Sequence, residues 1–277
     1  MKTWFITGAS RGFGALVVER ALAQGDAVVA TARSPRAVVD RFGEQPNLLA
    51  LALDVTDEKQ VRTAVEAAIA RFGRIDILLN NAGFGLMGAV EEASADEVEA
   101  VYRTNVFGLL NVTRGVLPHM RTARSGRVLN ISSIGGYRGA AGFGVYSSTK
   151  FAVEGISEAL HAELAPLGIH VTVIEPGYFR TDFLDASSLA VSPVIIADYA
   201  ATAGRVRSVA TGLNHAQPGD PEKLAQVLVD FADAANPPVR LPLGSDTVAA
   251  IEAKHLGDAA ILAQWRTVSI STDFDAI

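Results

Sequence analysis

The residues of this sequence best suited to acid–base chemistry are a tyrosine and a lysine, Tyr146 and Lys150. They open a segment that is predicted to be helical as far as Pro166, and a spacing of four places both side chains on one helix face. A phenol with a pKa of about 10 is a poor catalyst at neutral pH, but a cation within about 4–6 Å favours the phenolate. We therefore expect Lys150 to lower the pKa of Tyr146. Alone, such a pair is more often structural.

A hydroxyl group is predicted close to this pair. Ser133 stands thirteen residues before Tyr146 and follows the apolar run Leu129–Ile131, which puts it at the carboxyl edge of a predicted strand. From there it could donate a hydrogen bond to a substrate oxygen. The sequence does not decide which of Ser132 and Ser133 points inward, and both could be ordinary loop polarity.

Asn105 is unexpected where it stands. It falls on the apolar stripe of a helix predicted from Ser94, where a buried amide needs a hydrogen-bonding partner. It is either functional, or a sign of a local helix irregularity or of a hydrogen bond to a neighbouring carbonyl.

A glycine-rich turn follows the first predicted strand and opens a helix. Its sequence from Thr7 to Gly14 is TGASRGFG, with the spacing Gly-x-x-x-Gly-x-Gly. Free backbone N–H groups and the helix dipole make such a turn suitable for pyrophosphate, although glycines alone also build ordinary tight turns. The cofactor-binding residues expected in this turn are Gly8, Ser10, Arg11, Gly12, Phe13 and Gly14.

Taken in order and at these spacings, the motifs resemble the short-chain dehydrogenase/reductase family, in its non-extended branch, over roughly residues 1–185. The resemblance selects Ser133 over Ser132 and implies four catalytic residues. These are Asn105, Ser133, Tyr146 and Lys150. It further implies that Asn105 holds a water that links Lys150 to solvent.

The resemblance also implies cofactor contacts beyond the glycine turn. They are Asp54, Val55, Asn81, Ala82, Gly83, Tyr146, Lys150, Pro176, Gly177 and Thr181. Asp54 and Val55 would contact adenine, Lys150 the nicotinamide ribose, and Thr181 the nicotinamide carboxamide. Asp54 could instead, or also, cap the turn after its strand.

The end of the second strand indicates which nicotinamide cofactor is used. NAD-preferring relatives carry an acidic residue there for the ribose hydroxyls, whereas this sequence has Ala32 and then Arg33. Arg33 and Arg11 could form charge-assisted hydrogen bonds to a 2′-phosphate. We therefore expect NADP(H) in preference to NAD(H); the alternative is that both are ordinary surface arginines.

Short runs rich in Val, Ile and Leu alternate with helical patterns along the whole chain. The runs are Trp4–Thr7, Ala27–Ala30, Leu48–Leu53, Ile77–Asn80, Arg127–Ile131, His170–Ile174 and Val239–Leu241. Helix starts are indicated at Asp57, Ser94 and Asp220. The alternation predicts an α/β fold, a single Rossmann domain over 1–277 with a doubly wound parallel sheet of about seven strands. Residues 178–217 are weakly patterned and are expected to form a substrate lid.

Composition narrows the class of function. The net charge is -6 without a basic run, which disfavours nucleic acid, and there is no cysteine and no metal-ligand spacing among the five histidines. No metal is therefore expected. The apolar run within Met1–Thr7 is too short for a signal peptide and no apolar stretch is long enough to span a bilayer, so we expect a cytoplasmic protein without a membrane partner.

These features together predict an NADP(H)-dependent oxidoreductase that interconverts a ketone or aldehyde and an alcohol. Apolar residues in the expected lid favour an apolar or aromatic substrate, although they could equally pack the lid or an oligomer contact. Small residues on the helix after Tyr146 (Ala152, Gly155, Ser157 and Ala159) suggest a homodimer or homotetramer. The alternatives are an NADPH-binding sensor or scaffold without activity, and an extended-branch epimerase or dehydratase. Enoyl reductases, which separate their Tyr and Lys by six residues, fit less well.

Overall fold

All seven apolar runs are strands of one parallel sheet in the computed structural model, which describes residues 1–274, with only the backbone at position 211. The strands are β1 (Thr3–Thr7), β2 (Ala27–Ala32), β3 (Leu48–Ala52), β4 (Ile77–Asn80), β6 (Gly126–Ile131), β7 (Ile169–Pro176) and β9 (Arg240–Leu243). Their order across the sheet is β3-β2-β1-β4-β6-β7-β9. The strand order therefore reverses between β1 and β4, and the crevice at such a reversal is where α/β sheets bind ligands.

Helices connect the strands on both faces of the sheet. They are α1 (Gly12–Ala23), α2 (Arg36–Phe42), α3 (Glu58–Phe72), α4 (Ala95–Tyr102), α5 (Leu109–Ala123), α6 (Gly144–Leu164), α7 (Arg205–Leu213), α8 (Pro221–Phe231) and α9 (Ser245–Ile270). The helix starts predicted from the sequence are present. The carboxylate of Asp57 accepts from two backbone N–H groups of α3, Ser94 and Glu97 form a capping box on α4, and Asp220 caps α8.

The sheet is buried on both faces, because each face carries its own apolar cluster. On one face Trp4, Ile6, Val28 and Leu79 pack against α1 and α8. On the other, Phe5, Val29, Leu78 and Val128 pack against α3 and α5. Alternate residues of one strand therefore point to opposite cores, which explains why the strands are continuously apolar.

Three features were not predicted from the sequence. A second, two-stranded parallel sheet joins β5 (Gly85–Met87) to β8 (Leu189–Val191), and so ties the segment after β7 to the body. A π-helical segment, Arg103–Gly108, lies between α4 and α5. A long helix, α9, also follows β9, and Thr247 is its only buried residue.

Among the described residues, no helix has the length and apolar character needed to cross a membrane.

Candidate active site

The carboxyl ends of β1 and β4 are joined by a small network of hydrogen bonds. The hydroxyl of Thr7 accepts from the backbone N–H groups of Asn81 and Ala82, each at 3.0 Å. The Asn81 side-chain amide donates to the carbonyl oxygens of Thr7 and Gly8, also at 3.0 Å. Asn81 therefore holds the glycine turn open at the point where the strand order reverses.

The glycine turn leaves no room for side chains at two of its positions. Gly8 has a φ of +65°, which favours glycine, and a Cβ on Gly14 would lie 2.4 Å from the carbonyl oxygen of Gly8. The start of α1 can therefore pack closely against the turn and the Asn81 side chain. Gly8, Ser10, Arg11, Gly12 and Phe13 line the cleft. The ring of Phe13 packs edge-on against Phe179, with 5.6 Å between centroids.

The ends of β2 and β3 form one end of the cleft. Arg33 is exposed there and has no hydrogen-bond or ion-pair partner within residues 1–274. The carboxylate of Asp54 accepts from the backbone N–H (2.9 Å) and hydroxyl (2.8 Å) of Thr56, so it does cap the turn, and it also lines the cleft with the buried Val55. Both of the interpretations of Asp54 are compatible with this geometry.

Arg11 occupies a different place from Arg33. Its Nη2 donates to the carbonyl oxygen of Ser187 at 2.5 Å, across the cleft from the glycine turn. The guanidinium thus already has a partner in the segment that follows β7.

Tyr146 and Lys150 lie on one face of α6, both buried, as the spacing predicted. The Lys150 Nζ is 5.7 Å from the centroid of the Tyr146 ring and donates to the carbonyl oxygen of Ile131 at 2.9 Å. The hydroxyl of Ser133 hydrogen-bonds with the phenol of Tyr146 and also accepts from the N–H of Gly135 at 3.0 Å. Three of the four expected catalytic residues therefore converge at the carboxyl end of β6.

Burial is the main cause of the pKa shifts of Tyr146 and Lys150. It raises the pKa of Tyr146, and the hydrogen bond from Ser133 opposes the increase only in part. The expected lowering of the Tyr146 pKa by Lys150 is not seen in this geometry, where removal of water from the phenol has the largest effect. Burial also lowers the pKa of Lys150 to about 8, against the opposing charge of Glu154.

Asn105 lies in the π-helical segment and not on a regular helix. Its side-chain oxygen accepts from the N–H of Phe84 (3.0 Å), and its amide donates to the carbonyl of Phe84 (2.9 Å) and to the hydroxyl of Thr149 (3.1 Å). The helix irregularity and the hydrogen bond to a carbonyl, both weighed from the sequence, are present together. Asn105 joins the segment after β4 to α6, one residue before Lys150.

A group of buried carboxylates near Lys150 was not predicted from the sequence. Glu154, one turn after Lys150, is buried with Glu175 of β7, and Arg240 contacts both of them at 2.7 and 2.8 Å. Burial raises the pKa of both carboxyl groups. Ser132 lies beside Glu154. The spacing Lys150-x-x-x-Glu154 was the available signal.

Gln217 was also missed. It is 1% exposed and lines the cleft, and neither atom of its side-chain amide has a hydrogen-bond partner within the described residues. A buried amide without a partner is costly, so this residue is a candidate for contact with a bound ligand. No sequence pattern around it signals such a role.

The cleft has a volume of about 860 Å³ and extends from Arg33 past Tyr146 to the segment after β7. Pro176, Gly177 and Thr181 line its wall, and the Thr181 hydroxyl caps a short helical turn by accepting from Phe183. The rest of this end is mainly apolar: Phe143, Phe183, Leu184 and Leu189. The rings of Phe143 and Phe183 lie 6.2 and 5.6 Å from that of Tyr146.

Folding also brings Asp182, Asp185 and His215 together, with ligand-type atoms within 4.8 Å of one another. No histidine spacing indicated this cluster. Asp185 accepts from Asn214 at 2.5 Å and lies 3.2 Å from His215.

The comparisons with known proteins agree on one family. The family described as short chain dehydrogenase matches residues 2–191. The chain is 39% identical to "Oxidoreductase BOA17" of Botryotinia fuckeliana over 98% of this chain and 99% of that protein. It is 41% identical to a 3-ketodihydrosphingosine reductase of Bacteroides thetaiotaomicron over 86% of each chain.

Solved structures give the same result. A short-chain dehydrogenase from Streptomyces avermitilis has a TM-score of 0.90 and 39% identity, covering 99% of this chain and 100% of that one. ElxO, solved with NADP bound, has a TM-score of 0.74 and 26% identity, covering 90% of this chain and 99% of that one.

Proposed function

The chain belongs to the short-chain dehydrogenase family, and from this premise we propose that it is an NADP(H)-dependent oxidoreductase that reduces an apolar ketone or aldehyde, or oxidises the corresponding alcohol. Action on carbonyl and alcohol groups with a nicotinamide cofactor is typical of the family. The preference for NADP(H), the roles of the residues and the substrate are our proposals. The observation that carries them is the convergence of Ser133, Tyr146 and Lys150 on one cleft with the glycine turn.

The cleft fits a dinucleotide. The glycine turn lines the cleft at the start of α1, where backbone N–H groups can hold an anion, and the cleft continues from there to Tyr146. Arg33, which has no partner among residues 1–274, stands at the proposed adenosine end, and Ala32 occupies the position where NAD-preferring relatives carry an acidic residue. Asp54, Val55, Asn81, Ala82 and Gly83 would line the adenine and ribose portions, and Pro176, Gly177 and Thr181 the nicotinamide. Of the two arginines, we propose Arg33 for the 2′-phosphate, because Arg11 bonds to Ser187.

Bound NADPH would supply the hydride, and this chain's residues would then handle the proton and the charge. The phenol of Tyr146 donates a proton to the carbonyl oxygen of the substrate as negative charge develops there. The hydroxyl of Ser133 stabilises the same oxygen. The raised pKa of Tyr146 keeps the phenol protonated before transfer, which suits the direction of reduction. Lys150 would hold the nicotinamide ribose, and Asn105 would hold a water that supplies protons to Lys150.

The substrate end of the cleft supports an apolar compound. Phe143, Phe183, Leu184 and Leu189 surround the phenol, and residues 178–217 cover this end as a lid that β5 and β8 anchor. One similar protein is named as a 3-ketodihydrosphingosine reductase, so its name indicates a keto compound as its substrate. We propose a ketone with an extended apolar chain or ring as the substrate class.

A catalytically silent NADPH sensor is the second candidate, because fold alone does not fix activity. The complete set of Ser133, Tyr146 and Lys150 in one cleft favours the enzyme. An extended-branch epimerase or dehydratase is disfavoured by the glycine spacing of Gly8, Gly12 and Gly14.

We also propose that subunits associate through α6. A Cβ on Gly155 would meet nothing within 4 Å, and Phe151 is 45% exposed on the same helix, so a second helix could pack closely there.

The test is an absorbance assay of NADPH and NADH oxidation with a panel of ketones and aldehydes of increasing chain length. We expect turnover with NADPH that improves as the apolar part of the substrate grows. Binding of NADPH in calorimetry with no turnover on any carbonyl compound would favour the sensor. Equal or better turnover with NADH would contradict the proposed role of Arg33.

A further inference from the structure

The C-terminal helix α9 leaves the body of the protein after its first turns. Thr247 is buried, and the ring of His255 still packs against Tyr137 with 5.5 Å between centroids. From Leu256 to Ile270 every residue is exposed. At 1.5 Å per residue this exposed arm, defined as 256–270, projects for about 22 Å.

The arm is apolar, although nothing among residues 1–274 covers it. It carries six large apolar side chains that are between 54% and 75% exposed: Leu256, Ile261, Leu262, Trp265, Val268 and Ile270. An isolated helix of this length is marginal in water, and an exposed apolar patch of this size marks an interaction surface. The arm therefore requires a partner.

We propose that the partner is a second copy of this chain, whose arm packs antiparallel to the first about a twofold axis at Leu262. The arm contains one acidic and one basic residue, Asp258 and Arg266, each four positions from Leu262. Asp258 also pairs with Lys254 of its own helix at 2.9 Å. An antiparallel pair centred on Leu262 places Asp258 of each subunit opposite the partner's Arg266. Twofold symmetry then forms this ion pair twice.

The sizes of the side chains agree with the same register. Ala259 and Trp265 are each three positions from Leu262, so the indole of one subunit lies opposite the alanine of the other. Residues 258, 259, 262, 265 and 266 share one helix face at spacings of three and four. One face therefore has a central leucine, a small residue facing a large one, and complementary charges.

A lipid surface fits the arm less well than a second copy does. Helices that lie on membranes carry a polar face rich in Lys and Arg. The charges of this arm balance, and the apolar residues are not confined to one side.

The first test uses the absence of native cysteine. In the full-length Leu262→Cys variant the two thiols face each other across the axis, so mild oxidation is expected to give a covalent dimer. Ala260→Cys is the matched control, since two positions rotate a helix by about 200° and carry that thiol to the opposite face. Failure of Leu262→Cys to crosslink, or equal crosslinking of the control, would overturn the proposed pairing.

The second test is a charge exchange read by light scattering coupled to gel filtration. Asp258→Arg or Arg266→Asp alone puts like charges together, and we expect the particle mass to fall by half at micromolar concentration. The double variant Asp258→Arg/Arg266→Asp is expected to restore the mass. Far-UV circular dichroism and thermal melting check that the domain stays folded. An unchanged mass in the single variants, or binding of a monomeric protein to lipid vesicles, overturns the proposal.

Discussion

The Nη2 atom of Arg11 lies 2.5 Å from the carbonyl oxygen of Ser187 and donates a hydrogen bond to it, so the glycine turn and the segment after β7 are joined across the cleft. A residue expected at the 2′-phosphate thus contacts the proposed lid. The two arginines expected at the 2′-phosphate therefore differ in their surroundings, since Arg33 has no partner among residues 1–274.

We expect Arg11→Ala to weaken the binding of NADPH and of NADH to a similar degree. The variant loses a hydrogen bond that positions residues 178–217 over either cofactor, and it does not remove the group proposed for the 2′-phosphate. The measurement is KM for both cofactors with one carbonyl substrate. A rise in KM for NADPH alone would show that Arg11 does bind the 2′-phosphate.

Arg33→Ala is expected to act selectively. Loss of a charge-assisted hydrogen bond of about 1.5–3 kcal/mol corresponds to a rise in KM for NADPH of roughly 10- to 150-fold, while KM for NADH stays nearly constant. Arg36→Ala is the matched control, because Arg36 is exposed three residues later and pairs with Asp40 at 2.6 Å. An unchanged preference for NADPH in Arg33→Ala would contradict the assignment of Arg33 to the 2′-phosphate.

Tyr146→Phe should lose about 10²–10⁴-fold in kcat, the usual contribution of general acid–base catalysis. NADPH binding, measured by fluorescence or calorimetry, should be retained because the ring stays between Phe143 and Phe183. Tyr102→Phe is the control, since that hydroxyl bonds to Ser148 outside the cleft. Full activity in Tyr146→Phe would remove the tyrosine from the mechanism.

The pH profile should report on Lys150. Burial lowers its pKa to about 8, so the reduction rate should fall as the pH rises through that value and the ammonium loses its proton. The charge of Glu154 raises this pKa, hence Glu154→Gln should move the alkaline limb to lower pH. Glu158→Gln, which removes an exposed contact of Arg240 one turn later, should leave the limb in place. Identical profiles in all three proteins would disprove the coupling.

Gln217→Leu should have opposite effects on stability and binding. The buried amide lacks a partner, so an apolar replacement of similar size is expected to raise the thermal unfolding midpoint by removing a desolvated polar group. KM for cofactor or substrate should rise at the same time. A drop in the midpoint with unchanged KM would show a purely structural role.

The local sequence by itself determined the secondary structure and the positions of the main motifs. The seven strands, the caps at Asp57, Ser94 and Asp220, and the same-face placement of Tyr146 and Lys150 depend on alternation, capping and helical period, which neighbouring residues fix. The glycine turn was recognisable because a positive φ and a close approach select glycine.

Only the tertiary structure decided the rest, because it depends on residues distant in the chain. Burial by several elements raised the pKa of Tyr146 against the expected effect of Lys150. Contacts with Phe84 and Ser187 gave Asn105 and Arg11 their partners. The sequence did not show that α9 would extend beyond the core of the domain. Periodicity identifies the apolar face of a helix but does not say what covers that face.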